Sequence, residues 1–163
     1  MQELSLSEYV TIDRRKSGRR IKKKAKKAVK IALLGSFALN GFREVLNAKC
    51  QGLGIQASFY VNDYNQYVNE LIDKRSKFYK FHPDITLLFT DVAALFGDVY
   101  LDPYRYSEKK RMDAALHNYS KLARLAKNFV KWGSGILVMN NLVVPTYSPL
   151  GISEAKERFG LFD

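Results

Sequence analysis

The chain has 163 residues, about one domain, and 47% of them are hydrophobic, enough for a packed core. A single cysteine, Cys50, excludes an internal disulfide and a cysteine metal cluster, and only two histidines, His82 and His117, argue against a histidine metal site, so no metal and no cofactor is expected here. The formal charge of +11 misleads as a global property, because the basicity is local to one segment, and no apolar run reaches the length of a membrane span.

Residues 1–28 read as a basic, flexible arm. The stretch from Arg14 to Lys30 holds 11 Lys/Arg and no acid, whereas the chain from Ile31 onward carries 16 basic and 13 acidic residues. Arg14, Arg15, Lys16, Arg19, Arg20, Lys22, Lys23, Lys24, Lys26 and Lys27 have too few apolar neighbours to build a core face. The plain reading is a solubilising segment. The sharper ones are attraction to an acidic protein, to an anionic membrane surface or, ranked last because no nucleic-acid fold motif accompanies it, to nucleic acid. The N-terminus lacks the apolar core of a signal peptide, so the expected compartment is the cytoplasm.

Residues 29–163 read as one α/β domain. Val29–Leu34 is a short apolar strand ending at Gly35-Ser36. Phe42, Val45, Leu46 and Leu53 recur at helical spacing, with Gly52 and Gly54 as stops. Ile55–Val61 is a second strand. Tyr64, Tyr67, Val68, Leu71, Ile72, Phe78 and Tyr79 fit one helix, broken by His82-Pro83-Asp84. Ile85–Thr90 is a third strand, apolar on both faces as a central parallel strand should be. A loop from Asp91 to Tyr106 follows, in which Tyr100, Pro103, Tyr104 and Tyr106 suggest an exposed docking patch. Met112, Ala115, Leu116, Tyr119, Leu122, Ala123, Ala126, Phe129 and Val130 form one apolar helical stripe. Ile136–Met139 is a fourth strand. Strands alternating with helices of this length predict a three-layer parallel sheet of four to five strands with helices on its faces.

In such folds ligands sit at the carboxyl ends of the strands. That rule selects Gly35, Ser36, Asn40, Asp91, Asn140, Asn141 and Tyr147 as candidate binding residues. Each has a plainer role: a tight strand–helix turn for Gly35-Ser36, a helix cap for Asn40 or Asp91, and a loop held by Asx turns and prolines for Asn140, Asn141 and Tyr147. Cys50, on the first helix of the domain, is expected to be buried and inert.

The pattern Leu33-Leu34-Gly35-Ser36-Phe37-Ala38-Leu39-Asn40-Gly41, the Pro83-Asp84-Ile85 strand start and the late Asn140-Asn141…Pro145-Thr146-Tyr147-Ser148-Pro149 loop resemble the N-terminal domain of FkbH-like proteins. These are haloacid-dehalogenase-like (HAD) phosphatases of subfamily IIIC. The resemblance covers roughly residues 10–155. It implies a flavodoxin-like fold similar to SGNH hydrolases, followed in full-length members by a HAD catalytic domain that loads a glyceryl unit onto an acyl carrier protein for polyketide assembly.

Neither family chemistry is complete in these residues. HAD catalysis needs an Asp nucleophile with a second Asp two positions on and a magnesium ion, and no Asp-x-Asp occurs in the chain. Magnesium would therefore belong to a HAD domain outside it. SGNH catalysis needs a Ser, a His, an Asp and an oxyanion hole. The family's Gly-Asp-Ser-Leu block becomes Gly35-Ser36-Phe37-Ala38, its oxyanion Asn is replaced near Asp91, and its Asp-x-x-His block has no counterpart. His82 falls before the third strand, at the opposite edge of the sheet, and His117 falls within the long helix.

The expectation is a non-catalytic module that positions a carrier-bound or phosphorylated substrate for a HAD-type glyceryl transferase or phosphatase, with an acidic carrier protein or a HAD domain as partner. The first alternative is an SGNH-type esterase or acyltransferase with Ser36 as catalytic nucleophile and a His from outside the chain. The second is a polyanion binder acting through the arm.

Overall fold

The sheet is organised around β1 (Lys27–Gly35), whose Ala32, Leu33 and Leu34 are completely buried. The computed structural model describes residues 5–17 and 27–143. A first helix, α1 (Leu6–Ser17), precedes β1. Then follow α2 (Phe42–Gly52), β2 (Ile55–Val61), α3 (Tyr67–Ile72), α4 (Lys77–Phe81), β3 (Ile85–Phe89), α5 (Val92–Phe96), α6 (Asp98–Leu101), a 3-10 turn at Pro103–Arg105, α7 (Glu108–Trp132) and β4 (Ile136–Met139).

The four strands are parallel in the order β2-β1-β3-β4. β1 pairs with β2 from Lys27 opposite Ile55 to Leu33 opposite Val61, and with β3 from Ile31 opposite Ile85 to Gly35 opposite Phe89. Because strand side chains alternate, β1 feeds both layers. Ala32 and Leu34, with Leu88, meet Tyr67, Leu71, Phe78, Tyr79, Leu125 and Phe129 from α3, α4 and α7. Ile31 and Leu33 meet Cys50 and Leu46 of α2 on the other side. The result is the expected three-layer α/β fold. Cys50 is buried, and burial pushes its thiol pKa up.

At the amino edge Asp84 ties three strands together. Its carboxylate accepts from Lys30 N at 2.8 Å, its N–H donates to Lys30 O at 2.8 Å, and its carbonyl accepts from Ile136 N at 2.9 Å. Gly135, at φ +76°, lies so close that a β-carbon there would stand 2.0 Å from Asp84 O. On the α3–α4 side Glu70 performs a similar function. Its carboxylate accepts from Tyr60 Oη at 2.5 Å and from Phe78 N at 3.1 Å. Burial first, and then the bond to Glu70 and its charge, raise the Tyr60 phenol well above the ordinary tyrosine range. Burial pushes Tyr79 up to about 12, and its hydroxyl donates to Leu71 O at 3.2 Å.

Several expectations need correction. Residues 1–28 read as an arm, yet Leu6–Ser17 is helical and β1 begins at Lys27. The single helix expected over Tyr64–Tyr79 is two, because the Asp73 carboxylate accepts from Arg75 N at 2.9 Å in an Asx turn and Ser76 caps α4. Tyr64, expected on that helix, precedes α3 and is 71% exposed. The Asp91–Tyr106 loop holds two short helices and a 3-10 turn; Pro103 is buried, and Tyr100, Tyr104 and Tyr106 are half-buried rather than free. The α7 stripe is rotated from its expected position. Arg111, Asn118, Leu125 and Phe129 are buried, whereas Leu116, Tyr119 and Val130 face solvent. Apolar residues occupy too much of this helix's circumference for periodicity alone to choose the packed face.

Candidate functional site

The strand order fixes where a site belongs. The chain crosses from β1 to β2 on one side and returns over β1 to β3 on the other, so the switch point lies between the carboxyl ends of β1 and β3. Gly35-Ser36 and Phe89-Thr90-Asp91 meet there. Ser36 N donates to Phe89 O at 3.0 Å, and Ser36 Oγ accepts from Asp91 N at 2.9 Å. Ser36 is 1% exposed.

Two asparagines extend this pattern. Asn140, one residue past β4, accepts from Thr90 N at 2.8 Å and donates to Thr90 O at 3.1 Å and to Asn141 O at 2.7 Å. Asn62, one residue past β2, accepts from Gly35 N at 3.0 Å and donates to Asp63 O at 2.8 Å. A side-chain amide has the donor and acceptor of a peptide group, so each asparagine continues the ladder for one more rung. With Ser36, these side chains bind the four strand ends into one row. Asn62 is not among the residues the sequence singles out. Its position directly after a strand, like that of Asn140, was the available signal.

The candidate residues therefore divide. Gly35, Ser36, Asp91 and Asn140 are brought together at one edge, but most of their polar atoms are engaged within it. Asp91 also caps α5, its carboxylate accepting from Ala94 N at 3.3 Å. Asn40 does not cap α2. Gly41 takes the N-cap position at φ 81° without a side-chain bond, and Asn40 instead lines a cavity of about 460 Å³ with Val10, Leu39, Gly41, Arg43, Glu44 and Val61. Asn141 is exposed beside Asn140. Phe37, next to Ser36, is 42% exposed and lies 6.5 Å from the Phe89 ring; Phe42 meets Phe89 edge-on at 5.1 Å. Tyr147 lies outside the described residues, as do Arg19, Arg20, Lys22, Lys23, Lys24 and Lys26. Arg14, Arg15 and Lys16 fall on α1, and Lys27 is exposed at the start of β1.

Catalysis by Ser36 has no support in this geometry. His82 is exposed at the end of α4, ahead of β3 and therefore at the amino edge. His117 is exposed on α7. The chain has no other histidine. The hydroxyl that would attack is already accepting a backbone N–H, and the nearby Asp91 carboxylate would repel an oxyanion. Among the described residues no three of His, Cys, Asp or Glu cluster as a metal site needs, and no helix is long and apolar enough to cross a membrane.

Fold and site together define a doubly wound parallel α/β domain whose carboxyl edge is latched shut by its own side chains. No family model matches the chain, and no curated protein matches it. Among solved structures, it is similar to the N-terminal part of the protein BF1531 from Bacteroides fragilis, which contains a phosphatase domain and is complexed with Mg. The TM-score is 0.73 at 16% identity, and the match takes in 98% of this chain. The chain spans 39% of the length of that structure. At this identity the likeness establishes the fold.

Proposed function

We propose that this chain is a non-catalytic binding module of an FkbH-like, HAD-family glyceryl transferase or phosphatase. It holds a carrier-protein-bound or phosphorylated substrate at the carboxyl edge of its sheet. The observation that carries the reading is the engagement of Ser36: a buried hydroxyl that accepts Asp91 N and has no histidine beside it is a structural bond, not a nucleophile. The fold neighbour adds support, since the matching region occupies 39% of a chain that contains a phosphatase domain and is complexed with Mg. Magnesium and the phosphoryl chemistry would then belong to a separate HAD domain, because the paired Asp-x-Asp is missing from these residues.

Recognition would use what the latches leave free: the Asn40 and Asn141 side chains and the exposed Phe37 ring. The excess of Lys/Arg favours an acidic carrier protein, with the association weakening as salt rises.

Two measurements on the full chain test this. Incubation with a fluorophosphonate should leave Ser36 unlabelled; labelling there would establish the esterase alternative. Titration of 15N-labelled protein with an acidic acyl carrier protein should shift amides at Gly35, Asn40 and Asn141. Shifts confined to the basic segment, or none, would remove the edge from the proposal.

A further inference from the structure

α1 is attached to the fold in an unusual way. It packs against α2. Leu6 sits over Gly41, with Cδ1 3.0 Å from where a β-carbon of that glycine would be, yet Leu6 is 56% exposed. Tyr9 lies under Lys49 Nζ at 5.7 Å, and Tyr9, Val10 and Ile12 are all only half-buried. The one described side chain of α1 that is buried is a carboxylate. Asp13, 4% exposed, accepts a short hydrogen bond from Asn47 Nδ2 and stands 3.9 Å from Arg43 Nη2.

Helices of 12 residues are marginal on their own and depend on apolar burial for their stability. α7 has that anchor in Leu125 and Phe129, both buried in the main core. Among its described side chains α1 has no equivalent. Its buried polar contact with α2 is one acid and its two partners, beside the half-exposed contacts of Leu6 and Tyr9, and Val10 forms a wall of the cavity that Leu39, Asn40, Arg43 and Val61 also line.

We propose that α1 is a strap that opens as a unit, independently of the sheet, with Asp13 as its catch. Closed, it walls the cavity and keeps Arg43 and Asn47 occupied with its own carboxylate. Open, it uncovers Leu39 and Val61, leaves Asn47 available and leaves Arg43 with Glu44, at 3.4 Å, as its remaining ion pair. This device does not depend on the identity of the ligand or on the carrier-protein reading.

Hydrogen exchange of the full chain tests it, with β1 and α7 amides as internal references. In the wild-type protein the amides of Tyr9–Ser17 should exchange at least about tenfold faster than those of β1 and α7. Asp13→Ala should accelerate α1 by a further factor of about ten, the worth of one charged hydrogen bond, and leave β1 and α7 unchanged. Asp13→Asn, which keeps an acceptor for Asn47, should fall between the two. If α1 is protected as strongly as β1, or if Asp13→Ala accelerates β1 and α7 in proportion, α1 is an integral part of the core and the strap is refuted.

Discussion

Removing the Ser36 hydroxyl is the most direct test of the latched edge. Ser36→Ala deletes one oxygen at a site that is 1% exposed and leaves Asp91 N without its acceptor at 2.9 Å. A buried donor left unpaired costs about 1–3 kcal/mol. Asp91 is half-buried, so water can satisfy part of that loss, and the expected destabilisation is about 1–2 kcal/mol. For a chain of this length each kcal/mol lowers Tm by roughly 2–4 °C, which gives a drop of about 2–8 °C. Urea unfolding should show a lower midpoint at an unchanged slope, since the surface exposed on unfolding is the same. Ser134→Ala is the comparison: that hydroxyl, on an exposed serine, donates to Pro83 O at 3.1 Å, so its loss takes the partner from an acceptor rather than from a buried donor and should cost less than Ser36→Ala. A Ser36→Ala cost no larger than that of Ser134→Ala would show that the hydroxyl does not hold β1 to β3. The serine would then again be free for another role.

Asn62→Asp and Asn140→Asp keep the side-chain shape but replace an amide donor with an oxygen facing a carbonyl; each should cost about 1–2 kcal/mol by urea unfolding at neutral pH, and a neutral result would contradict the peptide-mimic role. Gly135→Ala should be severe, at least about 3 kcal/mol, because it combines φ +76° with a 2.0 Å approach to the Asp84 carbonyl; soluble, stable protein from this variant would count against the register at the amino edge. Tyr60 and Tyr79 hold their protons more tightly folded than unfolded. Their contribution is therefore complete below about pH 10 and is lost as pH rises beyond it. Urea midpoints should fall between about pH 10 and pH 12, less steeply in Tyr60→Phe, and an equal fall in that variant would exonerate Tyr60.

The sheet was readable in the sequence because each strand is a short stretch rich in β-branched, aromatic or other apolar residues, set apart from its neighbours by turn residues and helical patterns. Val29–Leu34, Ile55–Val61, Ile85–Thr90 and Ile136–Met139 are short apolar runs, and each falls on a strand. What the sequence hid depended on partners far along the chain. The Leu6–Ser17 segment reads as a charged arm because the side chains that receive it, Arg43 and Asn47, are about 30 residues away. The packed face of α7 carries Asn118 and Arg111, polar residues that periodicity assigns to solvent, beside Leu125 and Phe129. At the site, the strand-end rule points to Gly35, Ser36, Asp91 and Asn140, which the fold brings to one edge, and also to Asn40, which lines a separate cavity. It did not reveal that Ser36 and Asn140 face each other's neighbouring strands, because backbone groups as partners leave no mark in the sequence.

Placing β1 at the centre of a parallel sheet also has a kinetic consequence. Its first neighbour begins at Ile55, but its second begins at Ile85. During synthesis one flank of the most apolar strand stays unpaired while about 50 further residues are made, a few seconds at ordinary elongation rates. Non-local pairing of this kind is slow and prone to wrong contacts until the last partner arrives. Variants that weaken β3 should therefore reduce yield in the cell more than their equilibrium stability suggests, because they prolong the interval in which β1 has only β2 beside it.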